Sequence, residues 1–224
     1  METFVTIGVD IGQKVDPTAI VVCEASRSFP PAVSSDGLMR STRPAGQIET
    51  RFTVRELGRL PLGTSYPLVA EKIVDVVSGL QRMGIFKPRI LVDATGVGLP
   101  VVDILRQALA GTPHVLVACT FTHGDRYTKD TSDYRAPAAS VGKAYLVSRL
   151  QALLQTDRLM LPITRESEVL ARELQDYEIR VSEDANDKYG AFKVGTHDDL
   201  VTALGLAVLD DPIKEALSRC LVSH

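Results

Sequence analysis

Three short acidic motifs mark places in this chain where an apolar run stops and chemistry can begin. They are Ile7-Gly8-Val9-Asp10-Ile11-Gly12, Ile90-Leu91-Val92-Asp93-Ala94-Thr95-Gly96 and Thr196-His197-Asp198-Asp199-Leu200. In the first two, a single Asp closes a run of β-branched and aliphatic residues, and a Gly follows shortly after. An ionised carboxylate so near buried strand is costly unless a cation or hydrogen bonds compensate it. Brought together by the fold, acids from three distant segments would form a set of hard oxygen donors. Such a set suits Mg²⁺ or Mn²⁺ rather than Zn²⁺. Two ions held this way can stabilise both the attacking and the leaving oxygen in phosphodiester hydrolysis.

Each motif also has a plainer explanation. Asp10 could cap the turn after its strand, although Asp16-Pro17-Thr18 opens the next strand and brings a second acid to the same hairpin end. Asp93 could cap a strand-to-helix connection. Against that, the carboxyl ends of parallel strands are where ligands bind in α/β sheets, and Thr95-Gly96-Val97-Gly98 leads into a helix whose N-terminus favours anions. Asp198 could be an ordinary N-cap, with Asp199 complementing the helix dipole. Two consecutive acids after His197 exceed what a cap requires.

The elements that must position these acids follow from the hydropathy pattern. Phe4 to Ile11 and Thr18 to Ala25 are continuous apolar runs, as expected of central strands buried on both faces. Ser26 to Gly46 shifts to Ser, Pro, Arg and Gly and reads as an exposed loop. Ile48, Thr50, Phe52 and Val54 alternate within a third strand, Gln47 to Leu60. Ser65 to Gly84 is the clearest helix, with Val69, Ile73, Val76, Val77 and Leu80 at helical spacing and Gly84 as its stop. Arg89 to Val92 and Val115 to Phe121 read as strands four and five, and Leu99 to Leu109 as the helix between them. Thr122 to Ser140 is polar and reads as a mobile loop. Helices are expected over Val141 to Leu154, Glu166 to Tyr177 and about Asp198 to Leu209. A β-hairpin is expected from Ile179 to Val181 and Phe192 to Val194, around Glu183 to Asp187. The pattern is α/β: a mixed sheet of about five strands, the first three antiparallel and the later ones parallel, flanked by helices. With no internal repeat and no clean boundary, residues 1–224 read as one domain.

Composition narrows the class further. The 224 residues are 45% hydrophobic and 24% charged, which is ordinary for a globular protein. Apolar runs such as Ala19 to Cys23 are far too short to span a bilayer, and Met1-Glu2-Thr3-Phe4 lacks the basic start of a signal peptide. Cys23, Cys119 and Cys220 are odd in number and widely spaced, which argues against a disulfide framework or zinc site and for a reducing compartment. A formal net charge of −3 argues against a simple DNA-binding module. It weighs less against a metal-dependent nuclease, whose clustered acids are neutralised by the cations they hold.

The ordered set of Asp10 with Asp16-Pro17-Thr18-Ala19, then Val92 to Gly98, then His197 to Leu204 resembles the nuclease domain of tailed-phage large terminase subunits. Leu60-Pro61-Leu62-Gly63-Thr64-Ser65-Tyr66-Pro67 also looks like that family, and the likeness spans nearly the whole chain. The resemblance implies a ribonuclease-H-like fold and a metal-dependent endonuclease that cuts concatemeric double-stranded viral DNA in the host cytoplasm during genome packaging. It implies Asp10, Asp93 and Asp198 as metal ligands, with Asp199 an alternative to Asp198. Asp16 would be a supporting acid or a ligand of a weaker second site, and the hairpin around Asn186 would lie beside the active site. An ATPase motor, a small terminase subunit and a portal would be its partners. No G-x-x-x-x-G-K-[ST] is present, because Gly142-Lys143 is followed by Ala144 and Pro137 stands where the first Gly belongs. The expectation is therefore a nuclease whose motor lies elsewhere.

Arg126, Lys129, Arg135, Lys143, Lys188 and Lys193, with Tyr127 and Tyr134 among them, are the candidate contacts to DNA phosphates. A solvated mixed-charge loop containing Asp125, Asp130 and Asp133 explains the same residues equally well. His114 and His123 are assigned no catalytic duty; His197, beside the acids, could orient water or a phosphate. Three rivals share parts of the pattern. A Holliday-junction resolvase or transposase-like nuclease shares the acids. A sugar-kinase or actin-like nucleotide-binding domain would use Asp10-Ile11-Gly12 and Asp93-Ala94-Thr95-Gly96 for phosphates, but it needs a second half of similar size and a Gly-rich adenosine-binding segment, and this sequence offers neither, its third motif being acidic. A non-catalytic DNA-binding module predicts no cleavage under any metal.

Overall fold

The structure is a computed structural model that describes residues 3–12, 16–28, 49–96, 98–133, 135–181, 187–190 and 198–216. In chain order the elements are β1 (Thr3–Asp10), β2 (Ala19–Ser28), β3 (Glu49–Arg59), α1 (Tyr66–Arg82), β4 (Arg89–Asp93), α2 (Gly98–Ala108), β5 (Val115–Thr122), β6 (Tyr127–Asp130), β7 (Ala138–Gly142), α3 (Lys143–Gln155), β8 (Leu159–Met160), α4 (Arg165–Asp176), β9 (Glu178–Val181), β10 (Asp187–Gly190) and α5 (Asp199–Ala207). Eight strands form one sheet in the order β6-β7-β5-β4-β1-β2-β3-β8. β1, β2 and β3 are antiparallel neighbours, while β1, β4, β5 and β7 run parallel.

The apolar runs of the central strands serve two cores, one on each face of the sheet. Val5, Ile7, Val9, Ile90, Val92 and Leu116 pack with Val69, Ile73 and Val77 of α1 and with Val102 and Leu105 of α2. Val21, Cys23, Phe52, Val54, Leu91 and Val117 pack with Leu146 and Leu150 of α3, Leu170 of α4 and the length of α5. Every residue of α5 is buried, including Asp199 and Thr202. This depth requires a glycine on the strand beneath it. A Cβ on Gly8 would stand 2.0 Å from the Ala203 carbonyl oxygen and 2.6 Å from the Ala207 nitrogen, so the helix rests on β1 at backbone distance.

The five expected strands and their directions are present, and three more extend the sheet. Thr122 to Ser140, expected to be a loop, contains β6 and most of β7, and β7 runs on through Val141 and Gly142 so that α3 begins at Lys143. The segment looked polar because β6 is an exposed edge strand whose one partner is β7. The hairpin is real but differently returned: β9 pairs antiparallel with Asp187 to Gly190 rather than with Phe192 to Val194. Residues 29–48, which contain most of the expected loop, lie outside the described residues, as do Val97, Tyr134, Asn186, Lys193 and His197. In β3 the alternation of Phe52 and Val54 gives way to Leu57 on the same face, because the pairing with β2 shifts between Val22 and Cys23 and leaves Arg55 as the extra residue. α1 ends as expected, with Gly84 in the left-handed region at φ 82°.

Candidate active site

Strand alternation puts the first two acids on the α5 face. Val9 lies opposite Val92 across the parallel β1–β4 pair, so Asp10 and Asp93, one residue further on, end adjacent strands side by side. Val9 and Val92 point to the α1 and α2 face, so the residue after each points to the other. Gly12 then lets the chain turn back on itself: a Cβ there would meet the Asp16 carbonyl oxygen at 2.1 Å. The Gly12 N–H donates to Thr18 Oγ1 at 3.0 Å, closing the turn that brings in Asp16. With Asp198 and Asp199 at the start of α5, five carboxylates from four segments line one cleft of about 390 Å³. Lys143, the first residue of α3, also lines it.

The electrostatics follow from this crowding. Burial, then the charges of Asp93, Asp199 and Asp198, hold the Asp10 carboxyl well above its ordinary range, and Lys143 opposes the shift. Burial also raises Asp93, against two hydrogen bonds from Thr95 and the charge of Lys143. The Thr95 N–H and hydroxyl both donate to Asp93 Oδ1, at 2.8 and 2.5 Å. The same hydroxyl oxygen accepts the Phe121 N–H at 2.8 Å, which commits its own proton to Asp93.

The two acids of the third motif are held differently. Arg59, at the end of β3, donates to both oxygens of Asp199, Nε to Oδ2 at 2.7 Å and Nη2 to Oδ1 at 2.6 Å. The same Nη2 also reaches Glu173 of α4, whose other oxygen accepts the Leu200 N–H at 3.2 Å. Asp198 occupies the N-cap position of α5, yet among the described residues its side chain makes no capping hydrogen bond. Ordinary capping therefore does not account for Asp198. By contrast, Thr164 caps α4 in the usual way by accepting the Ser167 N–H.

The structure divides the candidate DNA contacts. Lys143 sits among the acids, and Arg126 is beside it, its carbonyl accepting the Gly142 N–H at the cleft end of β7. Lys129 pairs with Asp210 and Glu215 toward the other end of β7, and Arg135 lies in the turn leading into that strand. Arg126 and Lys129 are three residues apart along this edge, about 10 Å. Tyr127 is no base-stacking platform: its hydroxyl donates to Asp210 at 2.6 Å and its ring packs against Tyr145. Lys188 lies on β10, Lys193 outside the described residues. His114 bonds to Thr112 and does not line the cleft. Sequence reading passed over Arg59, Glu173 and the Thr95 hydroxyl. Arg59 and Glu173 carry no local signal, since their partners lie 27 to 140 residues away; Thr95 bonds Asp93 only two residues back, so the Asp-Ala-Thr spacing itself carries that signal.

A mixed sheet ordered around adjacent β1 and β4, with acids at their ends and a buried helix across one face, defines a ribonuclease-H-like fold of the kind seen in phage terminase nucleases. The large terminase nuclease from thermophilic phage G20c aligns with a TM-score of 0.57 at 16% identity, over 93% of this chain and 83% of its own. The same nuclease with bound magnesium gives 0.56 at 17% identity, over 92% and 80%. The nuclease domain of the large terminase subunit of bacterial virus Sf6, with manganese and β-thujaplicinol, gives 0.55 at 14% identity, over 91% and 87%. At these identities the likeness is one of fold. No protein-family model matches the sequence, nor does any curated protein. Among the described residues, no helix is long and apolar enough to cross a membrane.

Proposed function

We propose that this chain is a metal-dependent endonuclease that cuts double-stranded DNA with little sequence preference, as one nuclease domain of a viral genome-packaging machine. The observation that carries this reading is the convergence of Asp10, Asp16, Asp93, Asp198 and Asp199 on one cleft, where Lys143 is the one cation lining it among the described residues. Among the described residues these side chains are not drawn together as a ready-made ligand group. The fit to a divalent cation lies in donor chemistry and charge: the donors are all hard oxygens, and their mutual repulsion is what such an ion relieves. Asp10, Asp93 and Asp198 would hold it, with Asp16 serving a second ion. Bound Mg²⁺ or Mn²⁺ would supply Lewis-acid stabilisation of the oxygens around the scissile phosphorus.

The chain's own groups do the rest. Thr95 fixes the Asp93 carboxylate, and the Arg59 fork fixes Asp199. Lys143 offers a positive charge to a phosphate entering an otherwise acidic cleft, and Arg126 extends that charge along the duplex. DNA contact through phosphates carries no base choice, which is why little sequence preference is expected. An ATPase motor, small subunit and portal are the partners this reading calls for, in the cytoplasm of an infected cell.

The test is plasmid cleavage. Supercoiled DNA should be nicked and linearised with Mn²⁺ or Mg²⁺ and left intact with chelator. Full activity in Asp93→Asn would sink the assignment, and strong preference for branched junctions would favour a resolvase instead. Thr95→Val, which keeps the shape and the backbone N–H but loses the hydroxyl, should lower cleavage about tenfold or more at limiting Mn²⁺. Thr95→Ser should retain it. Equal rates for the Val and Ser variants would remove Thr95 from the site.

A further inference from the structure

The first turn of α5 is held by groups that belong neither to the helix nor to the acids lining the cleft. An N-cap side chain ordinarily accepts the N–H of the second or third helical residue. In α5 the Leu200 N–H is taken by Glu173 of α4 instead, at 3.2 Å. Glu173 is itself buried and anchored by Arg59, which at the same time grips both oxygens of Asp199. Arg59 is the last residue of β3, and its Cα partner across the ladder is Ala19, which is also the partner of Asp10. One guanidinium thus ties the strand layer beside Asp10 to α4 and to the start of α5.

From this we infer that Arg59 is a positioning residue for the cleft: with Glu173 it takes over the capping of α5 and holds Asp199, so that Asp198 presents its carboxylate to the cation. The inference rests on the metal-dependent reading above. It assigns different duties to two adjacent acids that sequence cannot rank. Asp199 is spent on the Arg59 fork, a bidentate geometry that only a planar guanidinium matches. Asp198 lines the cleft from the N-cap position. Removing Arg59 leaves two buried carboxylates, Asp199 and Glu173, facing each other without a counter-charge. The turn that carries Asp198 then has no reason to keep its place.

Calorimetric titration of the whole chain with Mn²⁺ alone, alongside plasmid cleavage, tests this. Arg59→Gln should weaken Mn²⁺ binding about tenfold to a hundredfold, the usual range for groups that orient metal ligands. Cleavage should fall at limiting Mn²⁺ and recover in part at saturation. Arg59→Lys, which keeps the charge and loses the fork, should also bind Mn²⁺ more weakly, and it serves where Arg59→Gln does not fold. The triple variant Arg59→Gln, Glu173→Gln, Asp199→Asn is neutral at the clamp and should recover fold without recovering full Mn²⁺ affinity. A folded Arg59 variant with Mn²⁺ affinity within twofold of wild type overturns the clamp. Wild-type protein that takes up no Mn²⁺ overturns the metal-dependent reading itself, and the two failures are told apart by which protein shows them.

Discussion

Asp10→Asn is expected to abolish DNA cleavage and, in the presence of chelator, to raise the melting temperature. The loss follows from position. Asp10 ends β1 beside Asp93 and is the acid most crowded by the others, so no neighbour stands ready to replace it. A cation at a phosphoryl centre supplies several kcal/mol of stabilisation, and each 1.4 kcal/mol is about tenfold in rate, so a loss of roughly a thousandfold or more is expected. The gain in stability follows from the same crowding. Burial and three like charges raise the Asp10 carboxyl above its ordinary value, so the folded state favours the protonated form. For such a group, stability is fully present below the ordinary carboxylate pKa of about 3.9 and is lost as pH rises through the raised folded value. Near neutral pH the wild-type apoprotein carries that penalty and the Asn variant does not. The variant's advantage should therefore appear at neutral pH, at about 2–4 °C per kcal/mol relieved, and vanish in acid. Thermal melts of both proteins in chelator at the two pH values check this. Added Mn²⁺ should stabilise the wild type and leave the variant nearly unmoved. A variant that melts below wild type at neutral pH in chelator would falsify the crowding argument.

Gly8→Ala should be the most damaging methyl in the molecule's central strands. The new Cβ would sit 2.0 Å from the Ala203 carbonyl oxygen and 2.6 Å from the Ala207 nitrogen. Both are backbone atoms of a fully buried helix, so no rotamer change relieves the clash and α5 must lift off the sheet. Overpacking against yielding side chains costs about 1–3 kcal/mol, and rigid backbone on the far side places this case at about 3 kcal/mol or more. At 2–4 °C per kcal/mol, the melting temperature should fall by about 6–12 °C. Cleavage should fall further than stability alone dictates, because Asp198 and Asp199 ride on the displaced helix. Gly58→Ala is the control: a Cβ there meets nothing within 4 Å, and φ is not left-handed. It should leave stability unchanged or slightly raised. Equal melting temperatures for the two variants would show that α5 does not rest on β1 as described.

Much of this architecture was legible in the residues. Continuous apolar runs gave β1, β2, β4 and β5, because strands covered on both faces have no solvent side to alternate with. Helical spacing with Gly84 gave α1. β6 and β7 were not legible, since an exposed edge strand carries polar side chains on a loop's composition and is recognised by its partner alone. The return strand of the hairpin was misplaced for a related reason: short strands beside turn residues offer no period long enough to fix register.

The cleft divides along the same line. Sequence by itself determined which residue types are available for chemistry and where strands must stop: Asp10, Asp93 and the Asp198-Asp199 pair each follow or precede a buried run, and burial makes a charge there expensive unless something compensates it. The register of the β1–β4 pair, Val9 against Val92, is what sends Asp10 and Asp93 to one face of adjacent strands. What sequence left open was the difference between Asp198 and Asp199, the place of Lys143 among the acids, and the division of the other cations between two ends of β7. Those were decided by contacts between residues far apart in the chain. Arg59 and Asp199 are 140 residues apart and meet at 2.6 Å, and no local pattern encodes which carboxylate a guanidinium will take. Tertiary packing assigned one acid to the fork and the other to the cleft, because only the assembled sheet, α4 and α5 fix the angle from which each is approached.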